Sequence, residues 1–442
     1  MTDDTEAIAR AVRETPDGLV TFPRGNFRIT RTIEITLEEH GRLSLSGSKG
    51  VGRVVMAGEG PAFRFVGTHT RTAAPTGFEF KVWERERMPQ VEGLEIVGDH
   101  EGADGIELFQ TMQATLRGVL VRAVRHGVIL ATRNRNVLID ACHIYNNRGV
   151  GVFFDRVNLH QAIIQGSHIS YNKGGGIKVL GGEIRNLHIT GNDIEYNYDL
   201  DAAESADIWF DIREGSVAEG TIASNTIQAR PSPGGANIRF LGPEQPVDRT
   251  LMGLWSITGN LIGSQTVNIH LDQCRGMAIV GNHIYTGTER TLLVERSRHL
   301  VIGQNSLDQS HNHRGGSTNG VTLRDCDGVV LSGLILDRAA SGSKAEGGAI
   351  EIIDCRETTV TGCQIFEPKY RGLYIAGSRN TRVSDNLVME RGEVREMLAA
   401  IEVATGSRNT VIDGNLLGSG SQGDLIVAKG SATVGTNHPA VE

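Results

Sequence analysis

Short stretches of alternating apolar and polar residues recur along most of this chain, in groups of three around a fixed turn residue. One such group contains the stretch LHIT, the turn Gly191-Asn192 and a second short alternating stretch at 193–195 with Ile194 at its centre. A variable loop follows, and then a third stretch of the form G-I-x-V, as at 176–179. Alternation with a period of two residues is typical of β-strands. The pattern therefore predicts three short strands per repeat, with very little helix.

The turn residue of each group defines a long internal repeat. Successive occupants of the Asn192 position lie 22 to 35 residues apart, and the shortest gaps give a base period of 22–25 residues. Such a period, with extra loop residues in some repeats, is typical of a solenoid. The occupants are Cys142, Ser167, Asn192, Asn225, Asn260, Asn282, Asn305, Leu334, Cys363, Asn386 and Asn415.

Three strands per repeat predict an all-β fold, a single right-handed parallel β-helix of about 12 coils. Leucine-rich repeats have a similar length, but the chain lacks their run of Leu and their helical return segment. Stacked coils would place the Asn side chains in one column, where each amide can bond its neighbours. We also expect these Asn residues to adopt the left-handed conformation of the turn.

We expect one domain over residues 1–442, with covers at both ends of the helix. Residues 1–20 are predicted to form an N-terminal cap, because TEAIARAVR has the pattern of a short amphipathic helix capped by Asp3-Asp4. Residues 69–92 break the repeat and are predicted to be an inserted arm or loop. Regular coils are expected over 93–432, and a polar C-terminal tail over 433–442.

Composition narrows the classes of partner. The chain has 44 Lys and Arg against 52 Asp and Glu, a formal charge of −8, and no long basic run, so we expect no nucleic acid partner. No apolar stretch approaches the roughly 20 residues that a membrane helix needs. The first residues have no signal-peptide pattern, which leaves two locations open: secreted or periplasmic if a leader was removed, and otherwise cytoplasmic. A monomer and a homotrimer are both compatible with the pattern.

The five cysteines are an odd and sparse set without a CxxC motif, which argues against a disulfide framework. Cys142 and Cys363 occupy the Asn column. Cys326 and Cys355 both end a third strand in adjacent coils. We therefore predict small, buried thiols that stack between coils.

The opening DDTEAI, the turn and strand PRGNFRI, and the G-I-x-V and N-x-I coils resemble the pectate-lyase-like β-helix superfamily over nearly the whole chain. That superfamily includes polysaccharide lyases, glycoside hydrolases, epimerases and phage tailspikes. The resemblance implies the fold and a carbohydrate bound along the outer face of the third strand. It does not identify a specific family, because one fold supports many activities.

Residues that flank the inward Val or Ile of each third strand should point outward and form two columns. Charged groups and one aromatic ring are concentrated in the middle of these columns, which is typical of a sugar-binding groove. A solvated sheet face with mixed charges remains the alternative. The concentrated residues are Asp155, Lys178, Trp209, Asp211, Arg239, His270, Asp272, Glu295 and Arg324.

These residue types suit β-elimination on a uronic acid. That reaction needs a base to remove the proton alpha to the carboxyl group, and cations to stabilise the enolate. The side chains that can supply these groups are Lys178, Arg239, Arg324 and His270. Ca²⁺ is the one cofactor we consider, and its ligands would be Asp155, Asp211 and Asp272. The leading prediction is a polysaccharide lyase that acts on an anionic polysaccharide.

Two other functions stay open. Asp272 and Glu295, about 5 Å apart on neighbouring coils, have the spacing of a retaining glycoside hydrolase, and Asp211 and Asp272, about 10 Å apart, approach that of an inverting one. A non-catalytic carbohydrate-binding β-helix, similar to a tailspike, is the third possibility. The residues that we expect to contact the glycan are Asp155, Trp209, Arg324, Tyr374, Lys173, Tyr196, His311, His313 and Arg314.

Overall fold

The computed structural model describes residues 2–70, 76–77, 79–310 and 320–441. These residues form an all-β parallel solenoid of about 15 turns, which confirms the predicted fold but not the predicted 12 coils. Two of the additional coils lie at the N-terminal end, where residues 19–66 form strands without the Asn turn that marked the repeat. Another lies at the C-terminal end, where Leu425–Val427 pairs with Ala399–Val403.

The chain divides into two compact units, Met1–Thr226 and Ile227–Glu442. In each unit, every coil contributes strands to three parallel stacks, which we name first, second and third after the order of the strands around the Asn turn. The third stack carries the G-I-x-V strands.

The N-terminal unit contains the following strands. Its first stack comprises Leu19–Thr21, Ser44–Ser46, Gln90–Glu92, Thr115–Arg117, Glu183–Thr190 and Ser216–Ala223. Its second stack comprises Gly25–Ile29, Gly52–Met56, Leu94–Gly98, Leu120–Arg122, His143–Tyr145, His168–Ser170 and Asp193–Glu195. Its third stack comprises Ile33–Thr36, Gly60–Val66, Ala103–Phe109, Gly175–Leu180 and Ser205–Asp211. Two long strands, Val128–Asp140 and Val150–Gln165, run from the third stack into the first, and Thr226–Gln228 lies at the unit boundary.

The C-terminal unit repeats the arrangement. Its first stack comprises Met252–Thr258, Arg275–Val280, Arg298–Gly303, Asp327–Ser332, Arg356–Thr361, Arg379–Ser384, Arg408–Asp413 and Ala432–Val434. Its second stack comprises Leu261–Gly263, His283–Tyr285, Ser306–Asp308, Ile335–Asp337, Gln364–Phe366, Leu387–Met389, Leu416–Leu417 and His438–Pro439. Its third stack comprises Gly235–Leu241, Val267–Asp272, Arg290–Glu295, Val321–Arg324, Ile350–Ile353, Arg371–Ala376, Ala399–Val403 and Leu425–Val427. The segment predicted to be a polar tail thus continues the stacking, because His438–Pro439 pairs with Leu416–Leu417.

The helices of the described residues are short: Thr5–Glu14, Leu37–His40 and Phe80–Arg85. The first buries Ile8 and Val12 and lies where the N-terminal cap was expected. Its cap comes from Asp3, whose Oδ1 accepts the Thr5 N–H at 3.0 Å. Asp4 does not cap the helix with its side chain, because its carboxylate accepts the Arg28 N–H at 3.0 Å and so ties the helix to the second stack.

The arm predicted over 69–92 is shorter in the structure. Its described part contains the helix Phe80–Arg85, but Gln90–Glu92 is already a regular strand that pairs with Ser44–Ser46 and Thr115–Arg117. Backbone hydrogen bonds fix the ends of the arm, with the His69 N–H donating to the Gln110 carbonyl at 3.1 Å and the Met88 N–H to the Met112 carbonyl at 3.0 Å.

The predicted Asn column forms a ladder of hydrogen bonds within each unit, and Leu334 interrupts the ladder of the C-terminal unit. In the N-terminal unit, the N–H and the Nδ2 of Asn192 both donate to Oδ1 of Asn225 at 3.0 Å. In the C-terminal unit the chain of bonds runs through Asn260, Asn282 and Asn305. These amides satisfy turn backbone groups that no hairpin would pair. The left-handed residue of the turn is the preceding one, a glycine such as Gly191 with φ +65° in most coils but Ser224 and Gln304 in others. Asn thus provides the hydrogen bonds, and the residue before it provides the bend.

A second ladder, which was not predicted from the sequence, lies at the turn between the second and third stacks of the N-terminal unit. Asn147 Nδ2 donates to Asn172 Oδ1 at 2.8 Å, and Asn172 Nδ2 donates to Asn197 Oδ1 at 2.8 Å. Asn197 Nδ2 in turn donates to Asp207 Oδ1 at 3.1 Å. The available signal was the spacing of these three Asn residues, which repeats with the same 25-residue interval as the first ladder.

All five cysteines are free and buried, as predicted. The Cys326 N–H donates to Cys355 Sγ at 3.4 Å, which confirms that these two thiols stack on adjacent coils. Burial raises the pKa of the Cys142 thiol to about 11. The thiols therefore act as small core side chains.

Candidate active site

The two outward columns predicted for the third stack are in register within each unit. In the C-terminal unit, Arg239 pairs with His270, which begins one column. In the other column Asp272 pairs with Glu295, and Glu295 with Arg324. Neighbouring parallel strands lie about 4.8 Å apart. Five of the predicted site residues thus come together on four consecutive coils.

His270 and Glu295 form the central contact of this group. His270 Nε2 lies 3.3 Å from Glu295 Oε2, and the other carboxylate oxygen lies 3.2 Å from a guanidinium nitrogen of Arg324. The pKa of Glu295 is lowered, first by the hydrogen bond from His270 and then by the charges of His270, Arg324 and Arg296, which outweigh the effect of burial. Assigning the Nε2 proton to this bond leaves the lone pair of a neutral ring on Nδ1.

Asp272 is also held by an arginine. Its Oδ2 accepts a hydrogen bond from Arg296, whereas its Oδ1 is buried and has no hydrogen-bond partner among the described residues. Asp272 and Glu295, the pair named for a retaining hydrolase, are therefore both engaged by guanidinium groups. A general acid needs a raised pKa, and the pKa of Glu295 is shifted the other way.

Arg239 adds a buried positive charge to the group. Its side chain is 4% exposed and donates a hydrogen bond to the Gly234 carbonyl. Its strand is the neighbour of the His270 strand, in direct register. A fixed guanidinium beside His270 can stabilise negative charge that develops on a bound ligand.

A cleft of about 600 Å³ continues along the third stack beyond Arg324. Its wall contains a carboxylate, Glu351, that is not among the predicted site residues. Glu351 is buried and accepts hydrogen bonds from the Thr322 hydroxyl at 2.9 Å and the Gly348 N–H at 3.3 Å. Arg290 lies 3.5 Å from Glu351 and donates to Thr322 at 2.8 Å. The cleft is lined by Arg290, Arg324, Ser343, Glu346, Glu351 and Tyr374.

The loop that forms one wall of this cleft is anchored by Arg371, which is 2% exposed. Its guanidinium donates to the Ser343 carbonyl at 2.9 Å and the Gly347 carbonyl at 3.3 Å, and pairs with Glu402. Tyr374 lies under this guanidinium, 5.6 Å from ring centroid to Cζ. Burial, followed by Glu402, raises the pKa of Tyr374, so its hydroxyl is a neutral donor.

The remaining column residues belong to the N-terminal unit. Lys178 Nζ lies 3.7 Å from the ring centroid of Trp209, whose side chain is largely covered. Asp211 makes a two-point contact with Arg213, at 2.8 and 2.6 Å. Burial opposes a low pKa for Asp211, but Arg213 and Lys178 together hold it below the usual value. Asp211 is thus a carboxylate whose ion-pair partner, Arg213, also belongs to the N-terminal unit.

Two of the predicted loop contacts belong to the N-terminal unit. Lys173 is exposed, and the ring of Tyr196 stacks on that of Tyr171 at 5.6 Å between centroids. His311, His313 and Arg314 lie outside the described residues.

The residues considered for Ca²⁺ do not fit that ion. Leu180 stands between Asp155 and Asp211 in register, and Asp155 pairs with Arg156 at 2.9 Å. Ca²⁺ takes about six to eight oxygen ligands, which these separated and paired carboxylates do not offer. Within the described ranges, no group of three or more His, Cys, Asp or Glu side chains is arranged to hold a metal ion.

The similarities of this chain to known proteins define the class of its fold. A sequence family described as "Right handed beta helix region" matches residues 85–227, and one described as "Periplasmic copper-binding protein (NosD)" matches residues 255–400. Each match covers about a third of the chain, and neither identifies a specific family. The right-handed parallel β-helix predicted from the sequence is confirmed. No curated protein matches the sequence.

Similar solved structures include ORF18 of Geobacillus virus E2, with 14% identity, a TM-score of 0.43 and coverage of 76% of this chain and 59% of that one. The Dettilon tailspike protein has 14% identity, a TM-score of 0.46 and coverage of 97% and 66%. The A-module of the Azotobacter vinelandii mannuronan C-5 epimerase AlgE6 has 13% identity, a TM-score of 0.37 and coverage of 100% and 96%. This chain spans between three fifths and two thirds of the length of the first two of these proteins, and these likenesses concern the fold alone. No helix of the described residues is long and apolar enough to span a membrane.

Proposed function

We propose that this protein binds a uronic-acid polysaccharide along the third stack of its C-terminal unit and cleaves it by β-elimination. One observation carries the proposal. An imidazole, His270, is oriented by a carboxylate, Glu295, at 3.3 Å, and that carboxylate is itself paired with Arg324. A histidine held by a carboxylate beside arginines is suited to removing a proton next to an anionic group.

The reaction would proceed as follows. His270 Nδ1 takes the proton alpha to the uronate carboxyl group, and Glu295 stabilises the imidazolium that forms. The electron pair of the broken C–H bond becomes a carbon–carbon double bond, and the glycosidic bond to the leaving oxygen breaks. Arg239 and Arg324 offset the negative charge of the enolate. The proton on His270 can then pass to the leaving oxygen, directly or through water.

The state of the carboxylates supports elimination over hydrolysis. A retaining hydrolase needs one protonated carboxyl group of the pair as general acid. Glu295 has a lowered pKa, and Asp272 is bonded to Arg296. Both carboxylates are therefore better suited to orient cationic side chains and to balance their positive charge than to donate protons.

The test is an assay of the purified protein on a panel of uronic-acid and neutral polysaccharides, following the ultraviolet absorbance of the unsaturated product. His270→Gln should lower the rate by about 10²–10⁴-fold. His283→Gln, which changes an exposed histidine of the second stack, is the matched control and should retain the wild-type rate. New reducing ends without the absorbance would refute elimination, as would full activity of His270→Gln.

A further inference from the structure

A second group of basic side chains lies in the N-terminal unit, around the long strand Val128–Asp140. Arg133 is 7% exposed, Arg135 9% and His69 1%. His160 lies on the next coil, in register with Arg135. None of these residues belongs to the outward columns of the third stack, so the group is independent of the proposed active site.

Backbone and side-chain bonds fix the positions of these residues. The His69 N–H donates to the Gln110 carbonyl at 3.1 Å, and the Arg135 N–H donates to the Thr111 carbonyl at 3.0 Å. Asn134 Oδ1 accepts both the N–H and the hydroxyl of Thr111, at 3.1 and 2.7 Å. Because side chains alternate along a strand, Arg133 and Arg135 share the face opposite to Asn134.

Several polar atoms of this group have no partner. Nε and Nη2 of Arg133 are buried without a hydrogen bond among the described residues, and so are both ring nitrogens of His69 and Nδ1 of His160. Leaving a charged donor buried and unpaired is costly, and native interiors avoid it. The site is thus built for a group that is not part of the described chain.

The charge balance indicates the sign of that group. The pKa of Arg133 is lowered by burial first and then by Arg135, and Glu183 is the one acid that opposes this. Glu183 itself accepts a hydrogen bond from Asn158 at 3.0 Å. Burial and the two arginines lower the pKa of His69 to about 4, so its ring is neutral near pH 7 and offers one N–H donor.

We infer that this cluster is a binding site for a small tetrahedral oxyanion, inorganic phosphate or sulfate, held by Nε and Nη2 of Arg133 and by the N–H of His69. The Nε and Nη2 edge of a guanidinium bonds two oxygens of such an anion side by side. The small exposed fraction of Arg133 and His69 excludes an oxyanion that is attached to a polysaccharide chain.

Thermal unfolding of the full chain, titrated with sodium phosphate or sodium sulfate against sodium chloride of equal ionic strength, tests the site. A saturable rise of the unfolding temperature is expected for the two oxyanions. Arg133→Gln should weaken the apparent affinity by about tenfold or more, because it removes a charge-assisted pair of bonds. Arg156→Gln makes the same charge change at a side chain that is 69% exposed, and should bind like the wild type.

A wild type without a saturable, oxyanion-specific rise would overturn the inference, and so would equal weakening in both variants. A measurement on the wild type covers the case in which Arg133→Gln fails to fold. Crystals soaked in selenate should show an anomalous peak between Arg133 and His69, and soaked crystals without that peak would also refute the site.

Discussion

His270 and Glu295 lie on neighbouring coils of the third stack, and His270 Nε2 is 3.3 Å from Glu295 Oε2. The two residues are not in the same column, since Glu295 is in register with Asp272, so the bond crosses diagonally between columns. Each side chain is less than one fifth exposed. The diagonal bond fixes the imidazole ring on the coil next to that of Arg239.

The same bond predicts a pH dependence of stability. The folded-state pKa of Glu295 is lowered, so its contribution is present above the unfolded value of about 4.3 and is lost as the pH falls through the lower folded value. The free energy of unfolding of the wild type should therefore fall more steeply below about pH 4.5 than that of Glu295→Gln. Urea unfolding between pH 3 and 7 measures this, and parallel curves for the two proteins would contradict it.

The anchor of the cleft wall gives a second prediction. Arg371→Gln removes the partner of Glu402 and the donors to the carbonyls of residues 343–347, and should cost about 3 kcal/mol. Faster hydrogen exchange of the amides at 343–347 would report the release of the loop. Arg356→Gln, which breaks a half-exposed pair with Asp327, should cost less than about 1 kcal/mol. Similar losses in both variants would show that the loop does not depend on Arg371.

The Asn ladder gives a third prediction. Asn282 Oδ1 accepts two hydrogen bonds from Asn260, and its Nδ2 donates to Ile257 and Asn305. Asn282→Ala leaves these buried groups unpaired and should cost about 2–4 kcal/mol, measured as a lower midpoint of thermal unfolding. Asn158→Ala, which removes one bond to Glu183 at the surface, is the control and should lower the midpoint much less. An equal effect would mean that the ladder adds little stability.

The sequence predicted those features that follow the phase of the repeat. The Asn192 column, the stacked thiols of Cys326 and Cys355, and the two outward columns all depend on position within a coil, and all lie in register within the units. Coils without the Asn turn carried no such marker. The first two coils were therefore not predicted, and the predicted number of coils was too low.

Features that depend on side-chain direction or on loops were not predictable. The choice of Glu295 as the partner of His270 requires a diagonal contact, which the column order does not specify. Arg371 binds carbonyls of a loop that has no periodicity. His69 and Arg133 come from segments that bond to the neighbouring residues Gln110 and Thr111, and no spacing in the sequence places them together.

The second ladder has a direction, because each amide donates from Nδ2 to the oxygen of the next and the final acceptor is the carboxylate of Asp207. The N–H ends of the amide dipoles therefore all point toward that carboxylate, as the free N–H groups at a helix N-terminus point toward a bound anion. An extra coil duplicated between Asn147 and Asn197 would lengthen the row without moving the negative terminus.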